Sequence, residues 1–477
     1  MLGYIFRLVK PLVDWYATGF LRERGVLERQ RTLLDEKLER LCRCNIGGRL
    51  GVEPSSSFQD LPLTGYDFYL PFFDDPHDGD FIYPLDDYVR AGTSGTMGKP
   101  KTYLLPWTGF RENVRKSVLS FLYLVTHDGE GSKLEVGDTL YANIPGGNFL
   151  AAFTADAFKS NQSRFFRLVP ENRDHMSFQE KVDYFIDNHQ EIDIAYMTVT
   201  TFLDEICPYV DDEVYLKGFF TQDITAGPLK DEIKRRSGNY PKTIYAATET
   251  FIAGLPSIEY PGAFLFDWRT LYPEFIKESE SVNSKITVID EAPDLVPMTD
   301  VEVGGRYQLI VTPYYNDLTR YVMPDIVECI SGGDDVLNTD IPVFKYYARS
   351  DKVLSLQNFT RINEEELITV LKNSGVPFVD FTARSEIDGT REYLSIYIEL
   401  AHEMPEDEVY QRVNRGLLDI DRDWRDLSSF MNYTPLKVSI LPRGTFKRFL
   451  HNKPGMARVT RIGMREERFN KLMDLGL

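Results

Sequence analysis

The stretch GTSGTMGKPK, residues 92–101, packs three glycines, three hydroxyl side chains and two lysines into ten positions. Glycines let backbone amides approach a ligand closely and form a concave nest for an anion. The hydroxyls of Thr93, Ser94 and Thr96 add donors, and Lys101, set beyond the rigid Pro100, adds a point charge. The stretch therefore reads as a phosphate loop, and its type decides the fold. A Walker-type loop requires G-x-x-x-x-G-K-[ST] followed at once by a helix. Here Thr93 replaces the first glycine, Pro100 replaces the magnesium-binding hydroxyl, and the following TYLLP alternates like a strand. The nucleophile-elbow pattern G-x-S-x-G fails too, because Thr96 occupies the place of its last glycine.

Outward from the loop, strand and helix patterns alternate through the first two thirds of the chain. DIAYMTV reads as a buried strand, TTFLDEICPYV as a helix and YLKGFFTQ as a strand. GPLKDEIKRRSG has Pro near its start and Gly at its end, as a helix should, and KTIYAATE is strand-like again. Such alternation predicts parallel βαβ units, with functional loops at the carboxyl ends of the strands. Near Ser350 and Asp351 the character changes. KVLSLQ, FVDFTARSEIDGTREYLSIYIEL and PLKVSILP read as strands, the middle one folded at an Asp-Gly turn. NEEELITVLKNSG and PEDEVYQRVNRGLLDIDRDW read as helices. The expected fold class is α/β: a large N-terminal core over residues 1–350 with mixed and parallel sheets, and a smaller mobile α+β domain over residues 351–477.

Composition narrows the function. The chain has 477 residues and 43% hydrophobic content, enough for a large core and more than one domain. Its formal charge is −19, with 73 acidic against 54 basic residues, which argues against nucleic acid as a partner. Four cysteines make no disulfide framework: Cys42 and Cys44 are too close for a standard bridge, and Cys207 and Cys329 stand alone. They read as structural thiols in a reducing compartment. In MLGYIFRLVKPLVDWYATGFL, Arg7, Lys10 and Asp14 interrupt the apolar run, so no membrane span is expected. An amphipathic helix docked on the protein's own core is expected there, in a cytoplasmic protein. DDPHDGD fails as a calcium loop because Pro76 sits at a ligand position and Leu85 at the bidentate glutamate's place. PGGN, residues 145–148, is a turn or a substrate loop.

TSGTMGKPK closely resembles the phosphate loop of the adenylate-forming enzymes, which include acyl-CoA ligases and peptide-synthetase adenylation domains. YAATE, residues 245–249, is similar to the Y-G-x-T-E of that superfamily, and RYVMPD ends in Asp325 where the family has Y-x-x-G-D. ARSDKV supplies Arg349 and Asp351 where the family has its G-R-x-D hinge. Four ordered matches from Thr93 to Asp351 are far more specific than any one. More narrowly, DVEVGGRYQLIVTPYYNDLTRYVMPDIVE, YPEFI and the late GTF resemble the auxin-responsive acyl-acid amido synthetases and their prokaryotic relatives. LKGFFTQDITAGPLKDEIKRRSGNYPKTIYAATE has a weaker likeness to phenylacetate–CoA ligase. The resemblance covers roughly residues 55–460.

The resemblance implies ATP and Mg2+ as cofactors and a two-step reaction through an acyl-AMP. Thr93, Ser94, Gly95, Thr96, Gly98 and Lys101 would grip the phosphates, Glu249 would hold the metal, and Thr248 would bond the α-phosphate. Tyr245 would lie near the adenine. Asp325, expected on a loop at a sheet edge, would hold the ribose hydroxyls, with Arg349 as a second contact and Asp351 as a hinge. Lys447 or Lys453 would stand for the late catalytic lysine, though neither has the P-R-T-x-x-G-K spacing. The acid pocket would be lined near residues 143–149, 197–202 and 219–223. The partners implied are a small-molecule carboxylic acid and an amine, such as an amino acid, or coenzyme A as acceptor. A catalytically inactive nucleotide-binding scaffold is the third reading, against which Lys101 and Glu249 speak.

Overall fold

The computed structural model describes residues 2–92, 102–143, 166–199, 201–210, 214–222, 226–282, 287–289, 293–350, 354–356, 360–388, 391–420, 424, 433–450, 458–464 and 466–476. They fall into two compact units, one within residues 1–346 and a smaller one from residue 347 onward.

The larger unit holds two sheets of different kinds. The first is parallel, with strands in the order Arg167–Val169, Thr139–Ala142, Ile194–Tyr196, Gly218–Thr221 and Lys242–Thr243. Both its faces are covered, which is why its strands are short apolar runs rather than alternating ones. Phe219 packs into one core and its neighbour Phe220 into another, as successive side chains of a strand must. The connecting helix Phe178–Asn188 begins at a capping box, with the Ser177 hydroxyl accepting from the Glu180 amide and Glu180 reaching back to the Ser177 amide. Helix Lys230–Ser237 ends where Gly238 takes φ +80°, the left-handed conformation a glycine tolerates. The helix expected over TTFLDEICPYV is only a six-residue π turn, Thr201–Ile206, and a short 3-10 turn, Cys207–Tyr209. Pro208 lacks the N–H that a longer α-helix would need.

The second sheet is mostly antiparallel. Its main path runs Leu295–Pro297, Leu271–Lys277, Arg306–Pro313, Tyr321–Ser331, Val343–Arg349, Phe264–Phe266, Phe251–Pro256 and Tyr245–Ala247. The segment KTIYAATE, expected to be one strand, is divided between the two sheets. Lys242–Thr243 closes the parallel sheet and Tyr245–Ala247 opens the edge of the other. The glycine-rich stretch joins two strands of a separate hairpin, Tyr88–Gly92 and Thr102–Pro106, paired from Tyr88 opposite Pro106 to Gly92 opposite Thr102. Helix Trp107–Val125 follows directly and packs on strand Phe251–Pro256.

The described side chains of the N-terminal helix Leu2–Thr18 divide between core and solvent. Val13 and Ala17 pack on the core, whereas Trp15 keeps 68% of its surface in solvent and Leu12 is equally exposed. Among the described residues no helix is long and apolar enough to cross a membrane.

In the smaller unit the strands Phe378–Asp388, Arg391–Leu400 and Leu436–Leu441 form one sheet, the last pair parallel. Helix Glu364–Asn373, capped by an Asn363–Glu366 box, and helix Glu406–Ile420 pack together and supply Leu367, Leu371, Val409 and Val413 to its core. The Asp-Gly turn lies at the edge of the described residues.

Candidate active site

The turn after strand Tyr245–Ala247 carries Thr248 and Glu249 and is closed by the Thr250 amide donating to the Ala247 carbonyl at 3.1 Å. Phe251, at the turn's exit, has φ +59°, a conformation that costs a non-glycine residue free energy unless its surroundings impose it. Two contacts do so. Its ring is buried edge-on against Phe110 at 5.1 Å. The Asn316 amide donates to the Glu249 carbonyl at 2.7 Å.

The Glu249 side chain is buried and held from the glycine hairpin. Tyr103, on the strand that leaves the loop, donates its hydroxyl to Glu249 Oε1 at 2.7 Å, and Tyr103 and Tyr321 hydroxyls meet at 2.8 Å. Burial, and then the charge of Glu249, hold both phenols well above their ordinary range, so they serve as neutral donors. One carboxylate oxygen of Glu249 is thus occupied, while no described residue hydrogen-bonds Oε2.

Asp325 sits inside strand Tyr321–Ser331 with a neighbour on each side, not on a loop at a sheet edge. The strand bulges there: Gln308 pairs with Ile326 and Ile310 with Val322, so residues 323–325 are absorbed opposite Leu309 alone. Pro324, which has no N–H for the ladder, is accommodated by that bulge. The Gln308 side-chain amide fills the gap by donating to the Met323 carbonyl at 2.9 Å. A bulge re-aims the side chains it carries, and Asp325 accepts the Tyr245 hydroxyl at 2.7 Å. Tyr245 itself is core: its ring stacks on Phe264 at 5.3 Å and meets Phe266 edge-on. Burial first, then Asp325, keep its phenol protonated.

Behind Asn316 lies a buried cation. Lys37, on helix Val26–Leu41, is 1% exposed and donates to the carbonyls of Pro313, Asn316 and Leu318 at 2.6, 2.7 and 2.7 Å. Burial pushes its pKa down, and Asp317 opposes that. Three carbonyl acceptors use all three N–H bonds of an ammonium, which a neutral amine does not have. Asp317 in turn accepts from the Tyr88 hydroxyl at 2.6 Å and the Ile82 amide at 2.8 Å. Strand Tyr88–Gly92, which leads into the glycine-rich stretch, is therefore tied to the same segment that holds the Glu249 turn.

At the carboxyl ends of the parallel strands, the Asn143 amide donates to the Tyr196 carbonyl at 2.9 Å. Gln222 donates to the Ala246 carbonyl at 3.3 Å, bridging the two sheets beside the Glu249 turn. Among the described residues no three His, Cys, Asp or Glu side chains come together as a metal cage.

The model of the GH3 family central domain matches residues 264–348, the sheet that carries Asp325. The chain is 26% identical over 234 residues to the indole-3-acetic acid-amido synthetase GH3.3 of Arabidopsis thaliana. It is 27% identical over 182 residues to a probable indole-3-acetic acid-amido synthetase, GH3.9, of Oryza sativa subsp. japonica. These matches cover 45% and 35% of this chain, and only 37% and 38% of the relatives' lengths. Across 96% of this chain the fold superposes on 95% of an acyl acid amido synthetase, GH3.15, with TM-score 0.69 and 15% identity. A 2-hydroxyisobutyryl-CoA ligase in its postadenylation state follows at TM-score 0.62 and 14% identity, over 94% of this chain and 92% of that one. The chain thus shares the fold of these ligases, and its sequence likeness to the GH3 amido synthetases covers less than half of it.

In this GH3-like chain Tyr245, Thr248, Glu249 and Asp325 come together around the join of the two sheets, with Thr248 part-exposed on the turn. Thr93, Ser94, Gly95, Thr96, Gly98, Lys101, Asp351 and Lys453 lie outside the described residues, as does the side chain of Arg349, whose backbone ends strand Val343–Arg349. Lys447 is exposed on helix Thr445–Leu450 and makes no ion pair among the described residues. Of the segments assigned to the acid pocket, Met197, Phe202 and Phe219 are fully buried in the core and Gln222 is exposed, whereas residues 144–149, 200 and 223 lie outside the described residues. Sequence reasoning gave no role to Tyr103, Asn316, Tyr321 or Lys37. Tyr103 and Tyr321 stand inside quoted motifs, but their hydroxyl partners are far away in sequence. Nothing local marks Lys37.

Proposed function

We propose that this chain is an AMP-forming ligase that activates a carboxylic acid with ATP and transfers the acyl group to an amine, in particular an amino acid. In the first step a carboxylate oxygen bonds the α-phosphorus and the bond to the β-phosphate bridging oxygen breaks, releasing pyrophosphate. In the second step the amine nitrogen bonds the acyl carbon, AMP leaves and the amine gives up a proton. Bound Mg2+ would neutralise charge that builds on the phosphates.

The observation that carries this reading is the pairing of two positioned carboxylates with the glycine hairpin. Glu249, fixed by Tyr103 and Asn316, has one oxygen available to a metal. Asp325, oriented by Tyr245, has the chemistry to accept ribose hydroxyls. The glycine loop and Lys101 would supply amides, hydroxyls and one charge to the phosphates, and Thr248 a further donor. Arg349 and Lys447 are proposed as a second nucleotide contact and the late catalytic lysine. Such a site works by positioning and charge neutralisation rather than covalent catalysis. The fold is common to amido synthetases and CoA ligases, so coenzyme A is the second acceptor to test.

Carboxylate-dependent ATP–pyrophosphate exchange over a panel of aromatic, fatty and amino acids tests the first step. Exchange with at least one acid is expected, reduced about a hundredfold or more in Glu249→Gln and Lys101→Ala. Retained ATP binding without exchange for any acid would overturn adenylation in favour of an inactive scaffold. Mass spectrometry of products formed with mixed amino acids, or with coenzyme A, then identifies the acceptor.

A further inference from the structure

The N-terminal helix leaves an unexplained cavity. A space of about 710 Å3 opens between helices Leu2–Thr18, Val26–Leu41 and Trp107–Val125 and the turn that follows strand Phe264–Phe266. That volume lies within the range of small-molecule sites, about 300–1,000 Å3. Its walls are aromatic and aliphatic: Trp15, Tyr16, Phe20, Leu33 and Trp268. Trp15 remains 68% and Tyr16 46% exposed, although both are large apolar groups beside a core.

The charges around it do not balance. Arg29 and Glu23 neutralise each other at 2.6 Å. Arg269 is chelated by Asp267, with Nε to Oδ1 at 2.8 Å and Nη2 to Oδ2 at 2.7 Å, and lies on the Phe20 ring. Lys116 is left over. Its ammonium is half-buried above the Tyr315 ring at 5.0 Å, and it makes no ion pair or hydrogen bond among the described residues. Burial accordingly pushes its pKa down. The carboxylate of Asp267, which opposes that shift, is already engaged by Arg269 and by the Ser117 hydroxyl at 3.0 Å. Glu112, one turn earlier on the helix, also favours the charge but is paired with Arg115 at 2.7 Å. A partly desolvated cation without a direct ion pair among the described residues is costly to maintain. Here it lines the same cavity as the exposed Trp15, in a chain whose formal charge is −19.

We propose that this cavity is a second ligand site, separate from the Glu249 turn, for a small amphipathic anion: one carboxylate or sulfonate on a flat apolar body. The anionic group pairs with Lys116, and the apolar body covers the exposed faces of Trp15 and Tyr16. The site stands on its own, whether or not the chain adenylates an acid. It has a physical route to the Glu249 turn. Lys116 lies over Tyr315, whose carbonyl packs against Gly109 of the same helix so closely that a Cβ there would meet it at 1.7 Å. The next residue, Asn316, holds the Glu249 carbonyl.

The test uses the full chain and two fluorescent probes, anionic 8-anilinonaphthalene-1-sulfonate and the neutral N-phenyl-1-naphthylamine. Saturable binding of the anion is expected, with energy transfer from tryptophan. Lys116→Met keeps the aliphatic stem, and it should weaken the anion about tenfold or more while leaving the neutral probe within about twofold. Lys116→Arg should restore the anion, and Trp15→Ala should weaken both probes. Anion binding unchanged in Lys116→Met overturns the proposal, as does loss of both probes together in that variant. Absence of soluble-probe binding, with Trp15-dependent attachment to phosphatidylglycerol vesicles, would instead assign the patch to a membrane surface.

Discussion

At the residue scale, each proposed site carboxylate is held by a phenol, and phenols make weakly acidic, rigid donors that survive burial. Tyr103→Phe deletes a single oxygen but strands two groups, the Glu249 carboxylate and the Tyr321 hydroxyl. Leaving buried polar groups unsatisfied costs about 1–3 kcal/mol each, so the urea midpoint should fall measurably. Under the adenylation reading, exchange should also require more Mg2+ for half-maximal rate, because Glu249 loses its orientation. An unchanged midpoint together with an unchanged Mg2+ dependence would sink this account of Tyr103. Tyr245→Phe should behave differently. It removes one hydrogen bond to Asp325 and leaves the Phe264 stack in place, so under the adenylation reading nucleotide affinity should drop more than stability.

At the element scale, the Glu249 turn is shaped by segments distant in sequence. Gly254 is one: a Cβ there would stand 2.6 Å from the Phe264 ring and 2.7 Å from the Tyr245 Cβ. Overpacking of that kind costs about 1–3 kcal/mol, and Gly254→Ala should shift strand Tyr245–Ala247 and weaken nucleotide binding with it. The segment 313–318 is the other. Lys37→Met removes the donor for three carbonyls and the cation beside Asp317 in one step. Breaking a buried charge network typically costs about 3–5 kcal/mol, and thermal denaturation should register a loss of that size. A melting temperature within error of the parent would show that the pocket rehydrates. The pattern of TYLLP and KTIYAATE revealed strands, but not that the second would divide between sheets. Periodicity reports which residues are buried, and both sheets bury theirs.

At the scale of the whole molecule, buried phenols govern the response to alkali. Burial is the leading cause that raises Tyr69, Tyr103, Tyr245 and Tyr321 above their ordinary value of 10.0, with carboxylates nearby adding to it. In the unfolded chain these groups ionise near pH 10, while the folded chain keeps their protons. Above pH 10 the folded state therefore binds more protons, and stability falls as pH rises, by about 1.4 kcal/mol per pH unit for each such tyrosine. Lys242 acts the opposite way, since burial lowers it to about 8 and stability gained from it rises between that value and its unfolded 10.5. Burial lowers Lys37, Lys116 and Lys181 as well, and the more numerous raised tyrosines predict a rise followed by a steep loss. Urea midpoints from about pH 8 to about pH 11 would check this. A level midpoint above pH 10 would contradict it.

Taken alone, the sequence was sufficient to establish the α/β class and the alternation of strands with helices. It also established most of the strands and helices of the smaller unit, and a glycine loop followed by a strand rather than a helix. All of these rest on local propensity, turn chemistry and periodicity, which short windows contain. Only the tertiary structure decided how the proposed site residues are held. Asp325 lies in a strand because a bulge absorbs Pro324, and Glu249 is fixed by Tyr103 and by a segment that Lys37 anchors from the N-terminal region. It also decided that the N-terminal helix places Val13 and Ala17 on the core and leaves Trp15 exposed in the cavity that Lys116 lines. Those are long-range hydrogen bonds and solvent exposures. They depend on which distant segments meet, and no local pattern encodes that.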